Sequence, residues 1–408
     1  MKTNTLKTNL RQYTMMLMLV IIIIFFQVLT GGRLLLPMNV NNLVNQNAYV
    51  VILAVGMLIC ILTGGNIDLS VGSVVCLVSA FAGQMIIVMK WNPYLSILLC
   101  LLIGALLGVW QGFWIAYIKI PAFIVTLSGM LVFRGLALLI LNGLTLAPFP
   151  DAFKQFSTGS FLSGVGKVPL MGMELNPVSL ISGVLIVVVY WAYTLLTRAS
   201  KKRKGYQVEG TLPLLVKLAI ISLVVIGFFY ILSKWRGVPS VLIIIGLLLL
   251  VYSYLTTNTV MGRHIYAIGG NEKAARLSGV KTNKLIFLAY VNMGFLAGLA
   301  GLAFAGRVDS AYPGAGQSFE LDAIGACYVG GASAYGGVGT VGGALVGALI
   351  FGILNNGMSL MGINSNLQQV VKGLVLLGAV AFDVVGKMNI ASGFRLGRKI
   401  KPTIVIGK

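Results

Sequence analysis

Nine acidic residues and a single histidine among 408 residues leave little from which to build a reaction. His264 stands alone, and Cys60, Cys76, Cys100 and Cys327 lie far apart in apolar or glycine-rich stretches without CxxC spacing. They read as buried free thiols, with no disulfide, metal site or cofactor expected. The acids of interest interrupt apolar sequence: Asp68 within TGGNIDLSVGS (63–73), Glu320 and Asp322 at the head of 317–337, and Asp383. An ionised carboxylate near a bilayer centre costs about 2.5–3.5 kcal/mol on insertion scales, so it faces a cavity or a partner. Gly64-Gly65 can break a helix, Asn66 or Asp68 can cap the next one, and Ser70 and Ser73 add hydroxyls. Asn66, Asp68, Ser70 and Asp322 are therefore candidates to line a substrate pathway, where broken helices free N–H and C=O groups toward a cavity. The competing reading makes Asp68 a helix cap at the cytoplasmic surface that never meets substrate. Asp68 and Asp322 each stand beside a Leu and precede a Gly-rich stretch, which hints at an internal repeat, though close packing by glycines explains the same text. Arg134 and Lys372 fall inside apolar spans. The first is expected in a buried pairing with an acid or carbonyl. The second, five residues into its span, is expected to snorkel to the interface.

These residues need a membrane scaffold to hold them. The chain is 58% hydrophobic and only 10% charged, against about 25% charged in average globular domains. Apolar runs of roughly 20 residues recur, the length that crosses a ~30 Å hydrocarbon core as a helix. The fold class is an all-α polytopic membrane protein of about 10–12 helices with Gly-rich broken segments. Spans are expected near 13–30, 46–62, 69–89, 95–117, 122–141, 178–197, 213–233, 238–256, 284–305, 319–336, 340–361 and 367–386, the tenth being the least apolar. With twelve crossings and both termini cytoplasmic, inside segments carry about three times the Lys and Arg of outside ones. An even count is thus favoured, because an odd one would expose the basic tail. The net charge of +21 is explained by such loops and not by nucleic acid. The first apolar run follows Lys2, Lys7 and Arg11 without a small-residue cleavage site, so it reads as a retained helix. Residues 1–386 form one membrane domain, 198–212 a basic cytoplasmic loop touching anionic lipid headgroups, and 387–408 a basic tail. The long outside loop 142–177 is a plausible receptor surface or a plain connector.

One stretch between spans carries a soluble-type helix signal: MGRHIYAIGGNEKAARLSGVKTNK, 261–284. Gly269-Gly270 breaks the chain, Asn271 can cap a helix start, Glu272 suits the positive end of its dipole, and Gly279 can close it. A helix of about seven residues is marginal in water and must dock on something. Ala274, Leu277 and Ser278 share one face at i, i+3, i+4 spacing, small enough for a groove. The plain alternative is an ordinary loop.

GRHIYAIGGNEKAARLSGV resembles the cytoplasmic segment of sugar-type ABC-importer permeases, the ribose, xylose and galactoside group. LTGGNIDLSVGSVV (62–75) resembles that family's early Gly-Asp-Leu-Ser motif, and ELDAIGACYVGGASAYGG (320–337) its late Leu-Asp and double-glycine motif. The three stand in the family's order and the resemblance runs over nearly the whole chain. It implies a multi-pass protein of the bacterial plasma membrane importing a monosaccharide, xylose or a related sugar. It implies a separate ATPase subunit, an extracytoplasmic sugar-binding protein and a permease dimer as partners. Gly269, Gly270, Asn271, Glu272, Ala274, Ala275, Arg276, Leu277 and Gly279 would be the coupling segment seated in the ATPase. The chain itself would be no enzyme: the nearest text to a P-loop, FLSGVGKV (161–168), lacks the first glycine and the Ser or Thr after Lys167. The rival readings are an ion-coupled secondary transporter and an ABC permease for a nucleoside or other sugar-like solute.

Overall fold

The computed structural model describes residues 2–160, 166–170, 173–208 and 210–396. The first half of the P-loop-like text, the side chain of Asp383 and the tail beyond 396 lie outside the described residues.

The chain is helical almost throughout. Helices α1 (Lys2–Leu29), α2 (Pro37–Leu62), α3 (Val71–Gly83), α4 (Pro93–Ala116) and α5 (Ala122–Leu141) come first, with a π turn carrying α3 on to Val88. A short helix α6 (Asp151–Ser157) and a two-stranded hairpin, β1 (Val168–Leu170) and β2 (Met173–Leu175), fill the long loop. Then follow α7 (Pro177–Arg203), α8 (Thr211–Ser233), α9 (Ser240–Asn258), α10 (Val260–Gly270), α11 (Glu272–Leu277), α12 (Thr282–Val308), α13 (Phe319–Val329), α14 (Val341–Leu360) and α15 (Ser365–Leu396). Among the described residues nine helices are long and apolar enough to cross a membrane, and Thr14–Leu29 of α1 is a shorter apolar helix.

Helix α2 is the axis. Its most apolar window is 89% buried, and α12, α14 and α13 pack around it. Helices α7 and α8 pack chiefly on each other, α8 also touching α2, with windows only 11% and 17% buried. They form a hairpin on the lipid-facing flank. Helices α4 and α12 meet along glycines at i, i+4 spacing: a Cβ on Gly104 would lie 2.6 Å from the Gly294 carbonyl oxygen, and one on Gly108 only 2.3 Å from that of Tyr290. Glycine at these positions lets the two backbones touch, the device membrane helices use where lipid offers no hydrophobic drive to associate.

The tenth expected span, 319–336, is not a full helix. α13 has eleven residues, about 16 Å at 1.5 Å per residue, because Gly330-Gly331 end it and the chain before it is irregular. Ala311 pairs with Leu146 beside Gly83 at one end of the bundle. Gly336 and Gly337 touch Gly64 and Gly270 at the other. The crossing is thus made by an unwound segment, 309–318, followed by α13. The start of α13 is buried at depth: Phe319 stacks on Tyr49 at 3.8 Å, and Tyr49 lies about 18 Å along α2 from its first residue. The long loop is pinned at its own end by Asp309, which accepts from the Phe149 amide (2.8 Å) and pairs with Lys154 (3.3 Å). Hydrogen bonds to Asp151 and Asp309 push the Lys154 amine above its ordinary pKa.

Gly108→Ala is expected to lower stability in detergent by about 1–3 kcal/mol through overpacking at the α4–α12 seam. Gly246→Ala in α9, where a Cβ would meet nothing within 4 Å, is expected to change it little. Thermal unfolding followed by fluorescence reads both, and equal midpoints for the two variants would contradict the seam.

Candidate functional site

The three motif stretches, more than 250 residues apart at their extremes, meet at the α11 end of the bundle. Thr259 opens α10 by accepting from the Gly262 amide at 3.0 Å. α10 runs on through Gly269-Gly270, so these glycines do not break the helix as expected from sequence. The break falls at Asn271, which is extended (φ −163°, ψ 104°) and accepts the Ala274 amide on Oδ1 at 3.0 Å to cap α11. Gly279 ends α11 at φ +86°. What Gly269 does instead is permit contact, whereas Gly270 is exposed and a Cβ there would meet nothing. A Cβ on Gly269 would lie 2.1 Å from the Leu62 carbonyl oxygen and 2.2 Å from the Gly337 amide nitrogen. The Gly337 amide itself donates to Leu62 at 3.2 Å. A Cβ on Gly65 would strike the Ala334 carbonyl at 2.3 Å, and one on Gly336 the Gly64 backbone at 2.6 Å. Tyr266 of α10 donates its hydroxyl to the Gly339 carbonyl at 2.7 Å. The end of α2, α10 and the 333–339 turn are therefore in backbone-to-backbone contact.

Helix α11 is held to the start of α12 and to the turn between α4 and α5 by charge. Glu272 Oε1 accepts from Arg276 at 2.6 Å and from Thr282 at 3.3 Å, and lies 3.7 Å from the Lys119 amine. Lys119 in turn donates to Asn283 at 2.6 Å. Ala275 turns inward and is 6% exposed, whereas Leu277 is 90% exposed. Lys273, Ala274 and Ser278 are exposed with it. A cleft of about 370 Å³ opens beside the segment, lined by Tyr117, Arg276 and 280–284. Leu277 is thus an exposed apolar side chain beside small and polar neighbours on a very short helix.

The model of one protein family, described as "Branched-chain amino acid transport system / permease component", matches residues 39–380. The chain belongs to this permease family. It is 38% identical over 386 residues to the xylose transport system permease protein XylH of Escherichia coli (strain K12), covering 93% of each chain. It is 37% identical to the XylH protein of Haemophilus influenzae, covering 93% of this chain and 97% of that one. To the ribose import permease protein RbsC of Escherichia coli (strain K12) the identity is 34%, over 85% of each. No solved structure matches. These relatives are transport permease subunits and not enzymes, and the resemblance read from three short stretches holds across nearly the whole permease.

The polar residues singled out at membrane depth have different surroundings. Asn66 is half-buried and donates to the carbonyl and hydroxyl of Thr63, both at 3.2 Å, closing the end of α2. Asp68 is buried; its Oδ1 accepts the Ser70 amide (2.8 Å) and hydroxyl (2.7 Å), and the Ser70 hydroxyl accepts from Gln111. Asp68 thus holds the turn that starts α3, inside the protein and not at its surface. Asp322 is buried too, with Lys372 Nζ 2.9 Å from Oδ1 and the Tyr49 hydroxyl donating to Oδ2 at 2.9 Å. Lys372 does not snorkel: the Asp322 carboxylate, desolvated among aromatic rings, holds the amine inside. Arg134 is half-buried and donates to the carbonyls of Pro313 (3.3 Å) and Ala315 (2.5 Å), satisfying oxygens freed by the unwound 309–318 segment. Tyr49, Gln111 and the Lys372 pairing were missed in the sequence because each partner lies on another helix. Only the presence of a lysine and an acid in neighbouring apolar spans could have suggested the last.

Removing one member of the Asp322–Lys372 pair leaves an uncompensated buried charge, typically 3–5 kcal/mol. Asp322→Asn and Lys372→Met are each expected to destabilise the permease strongly, and the double variant to recover most of that loss. A double variant no better than the worse single, in a thermal assay, would show that the pair is not coupled.

Proposed function

We propose that this chain is the membrane subunit of a binding-protein-dependent ABC importer for a monosaccharide, xylose or a closely related sugar. It forms the translocation pathway and receives the power stroke from a separate ATPase subunit. The observation that carries this reading is the construction of α11. It offers an exposed Leu277 to a partner while its base is fixed by bare backbone contact to the end of α2 and to the 333–339 turn. The names of relatives alike over 93% of the chain supply the sugar.

Residues of the coupling segment divide the work. Ala274, Leu277 and the exposed parts of Lys273 and Ser278 face the ATPase. Asn271 and Gly279 shape the helix ends, Glu272 and Arg276 hold α11 on the bundle, and Gly269, Gly270 and Ala275 face inward or carry the helix to its base. Movement of the ATPase then shifts α10 as a lever on α2. Asp68, Ser70, Asn66 and Asp322 fix the broken segments that border the pathway. At the opposite end, the pinned long loop and a cleft beside Trp91, Lys90 and 148–150 face the sugar-binding protein. The side of the bundle bearing Arg134, Tyr312 and Glu320 is half-exposed in one chain although it lies at membrane depth. Polar groups there do not face lipid, so a second permease chain covers this side and the pathway runs between the two.

Leu277→Asp is expected to leave insertion and thermal stability unchanged, since the side chain touches little of its own chain, while lowering both ATPase capture and sugar uptake tenfold or more. Full uptake by this variant with the ATPase still bound would overturn the coupling assignment. Ala275→Trp, by contrast, would damage the permease itself and is a poor probe of coupling.

A further inference from the structure

Three carboxylates lie at membrane depth around the start of α3 and α13, and they differ in one respect. Asp68 is occupied by the Ser70 amide and hydroxyl, and Asp322 by Lys372 and Tyr49. Glu320 is only half-buried, and its carboxylate takes a hydrogen bond from its own backbone amide in the first turn of α13, while among the described residues no other side chain forms an ion pair or hydrogen bond with it. Its Oε2 sits beside Gly72, where a Cβ would lie 2.6 Å away. Gly72 is the second residue of the Val71–Val88 rod, about 24 Å from that rod's far end at 1.5 Å per residue. A carboxylate is thus presented deep in the membrane, on the side of the bundle that remains half-open in the single chain. Arg134 acts on it electrostatically but spends its own hydrogen bonds on the Pro313 and Ala315 carbonyls. The surroundings are those of a hydroxyl site. The unwound chain 312–318 runs past with Gly314 and Gln317 exposed and the Tyr312 ring half-exposed.

A carboxylate whose only donor is its own backbone amide is costly at this depth unless something else meets its free lone pairs. Bulk lipid offers no donor. A neutral polyhydroxylated solute does, and an ionised carboxylate accepts up to four such hydrogen bonds without needing a charged ligand. Resting on the reading of the chain as a monosaccharide permease, we propose that Glu320 is the pathway's hydroxyl acceptor, gripping one or two ring hydroxyls of the sugar midway across the membrane. Glycine at position 72 is required first by the Gly316 carbonyl, 2.1 Å from where a Cβ would stand, and also leaves room for the carboxylate. The site differs from the four residues singled out in the sequence, of which Asp68 already accepts two hydrogen bonds on Oδ1 and Asp322 is held by Lys372 and Tyr49.

The test uses the complete transporter, with its ATPase and sugar-binding protein, in proteoliposomes. Uptake of the sugar is compared with uptake of each of its monodeoxy analogues at equal occupancy of the binding protein, for wild type, Glu320→Ala and Glu320→Gln. The expected result is a loss of tenfold or more for the parent sugar in Glu320→Ala and a smaller loss in Glu320→Gln. For the analogue lacking the gripped hydroxyl, wild type and variants should move at equal rates. Equal loss for the parent sugar and every analogue, with ATPase assembly intact, would mean that Glu320 serves structure or gating and would overturn the proposal. Undiminished uptake would overturn it as well. If Glu320→Ala fails to assemble, the near-isosteric Glu320→Gln carries the comparison alone. Should the wild-type transporter move no monosaccharide, the functional reading itself falls, and that outcome is separate from any result with the variants.

Discussion

Leu62, Gly269 and Gly337 meet with nothing between them but backbone. At this point the last turn of α2, the last turn of α10 and the turn after α13 approach so closely that a single methyl group on Gly269 would overlap two of them. Packed interiors do not deform continuously, and contact at backbone level leaves no flexible side chain to absorb a displacement. A push on α10 must therefore be passed on to α2, the most buried helix of the bundle, and to the turn that holds α13. Side-chain contacts, such as Tyr266 to Gly339 and the Glu272–Arg276–Lys119 cluster, keep the lever seated but sit at the periphery of this joint. The proposed coupling of ATPase motion to the pathway depends on this stiffness more than on any particular side chain of α11.

The same economy explains the scattered glycines. Two helices that need only van der Waals packing can meet through Gly104, Gly108, Gly294 and Gly298, which is the usual solution in lipid. Where the chain must unwind, as at 309–318, glycine alone is not enough, because freed carbonyls in a membrane need donors. Arg134 provides them from α5, Asp309 takes the Phe149 amide at the end of the segment, and Asp322 anchors α13 to α2 and α15 at once. Among the described residues Arg134, Asp309, Asp322 and Lys372 thus hold broken backbone or hold helices together, a task Glu320 does not share through any other side chain.

Much of this was legible in the sequence, and the limits are instructive. Apolar runs of about twenty residues gave the spans, because hydrocarbon thickness imposes length directly on sequence. The cap at Asn271 and the positive φ at Gly279 followed from local chemistry and occur as expected. The helical continuation through Gly269-Gly270 did not, because a glycine pair is ambiguous: it can end a helix or let another backbone come close, and only the partner at Leu62 and Gly337 decides. The composite crossing at 309–329 was readable as a weak span but not as an unwound half with a half-helix. Lys372 was misplaced for the same reason. Its distance from the end of its helix suggested an escape to the interface, while the carboxylate that holds it lies fifty residues earlier on α13. Sequence spacing encodes what happens within one helix and is silent on which helix stands opposite.

The exposure of one chain carries a final constraint on the assembly. On the flank formed by α7 and α8, the outward residues are Leu, Ile, Val and Tyr, a surface that lipid satisfies. On the side of α5 and the unwound segment, the half-exposed residues at similar depth include Arg134, Tyr312 and Glu320. Lipid cannot satisfy that set at the cost natural membrane proteins tolerate, and among the described residues no helix covers it. The polar side must therefore adjoin either water or another polar surface. The proposed second permease chain would give both, since two such sides facing each other would enclose a wet gap at the depth of Glu320 and leave the α11 helices free at one end for the proposed ATPase. The arrangement of charge within a single subunit thus argues for a pathway that no single subunit contains.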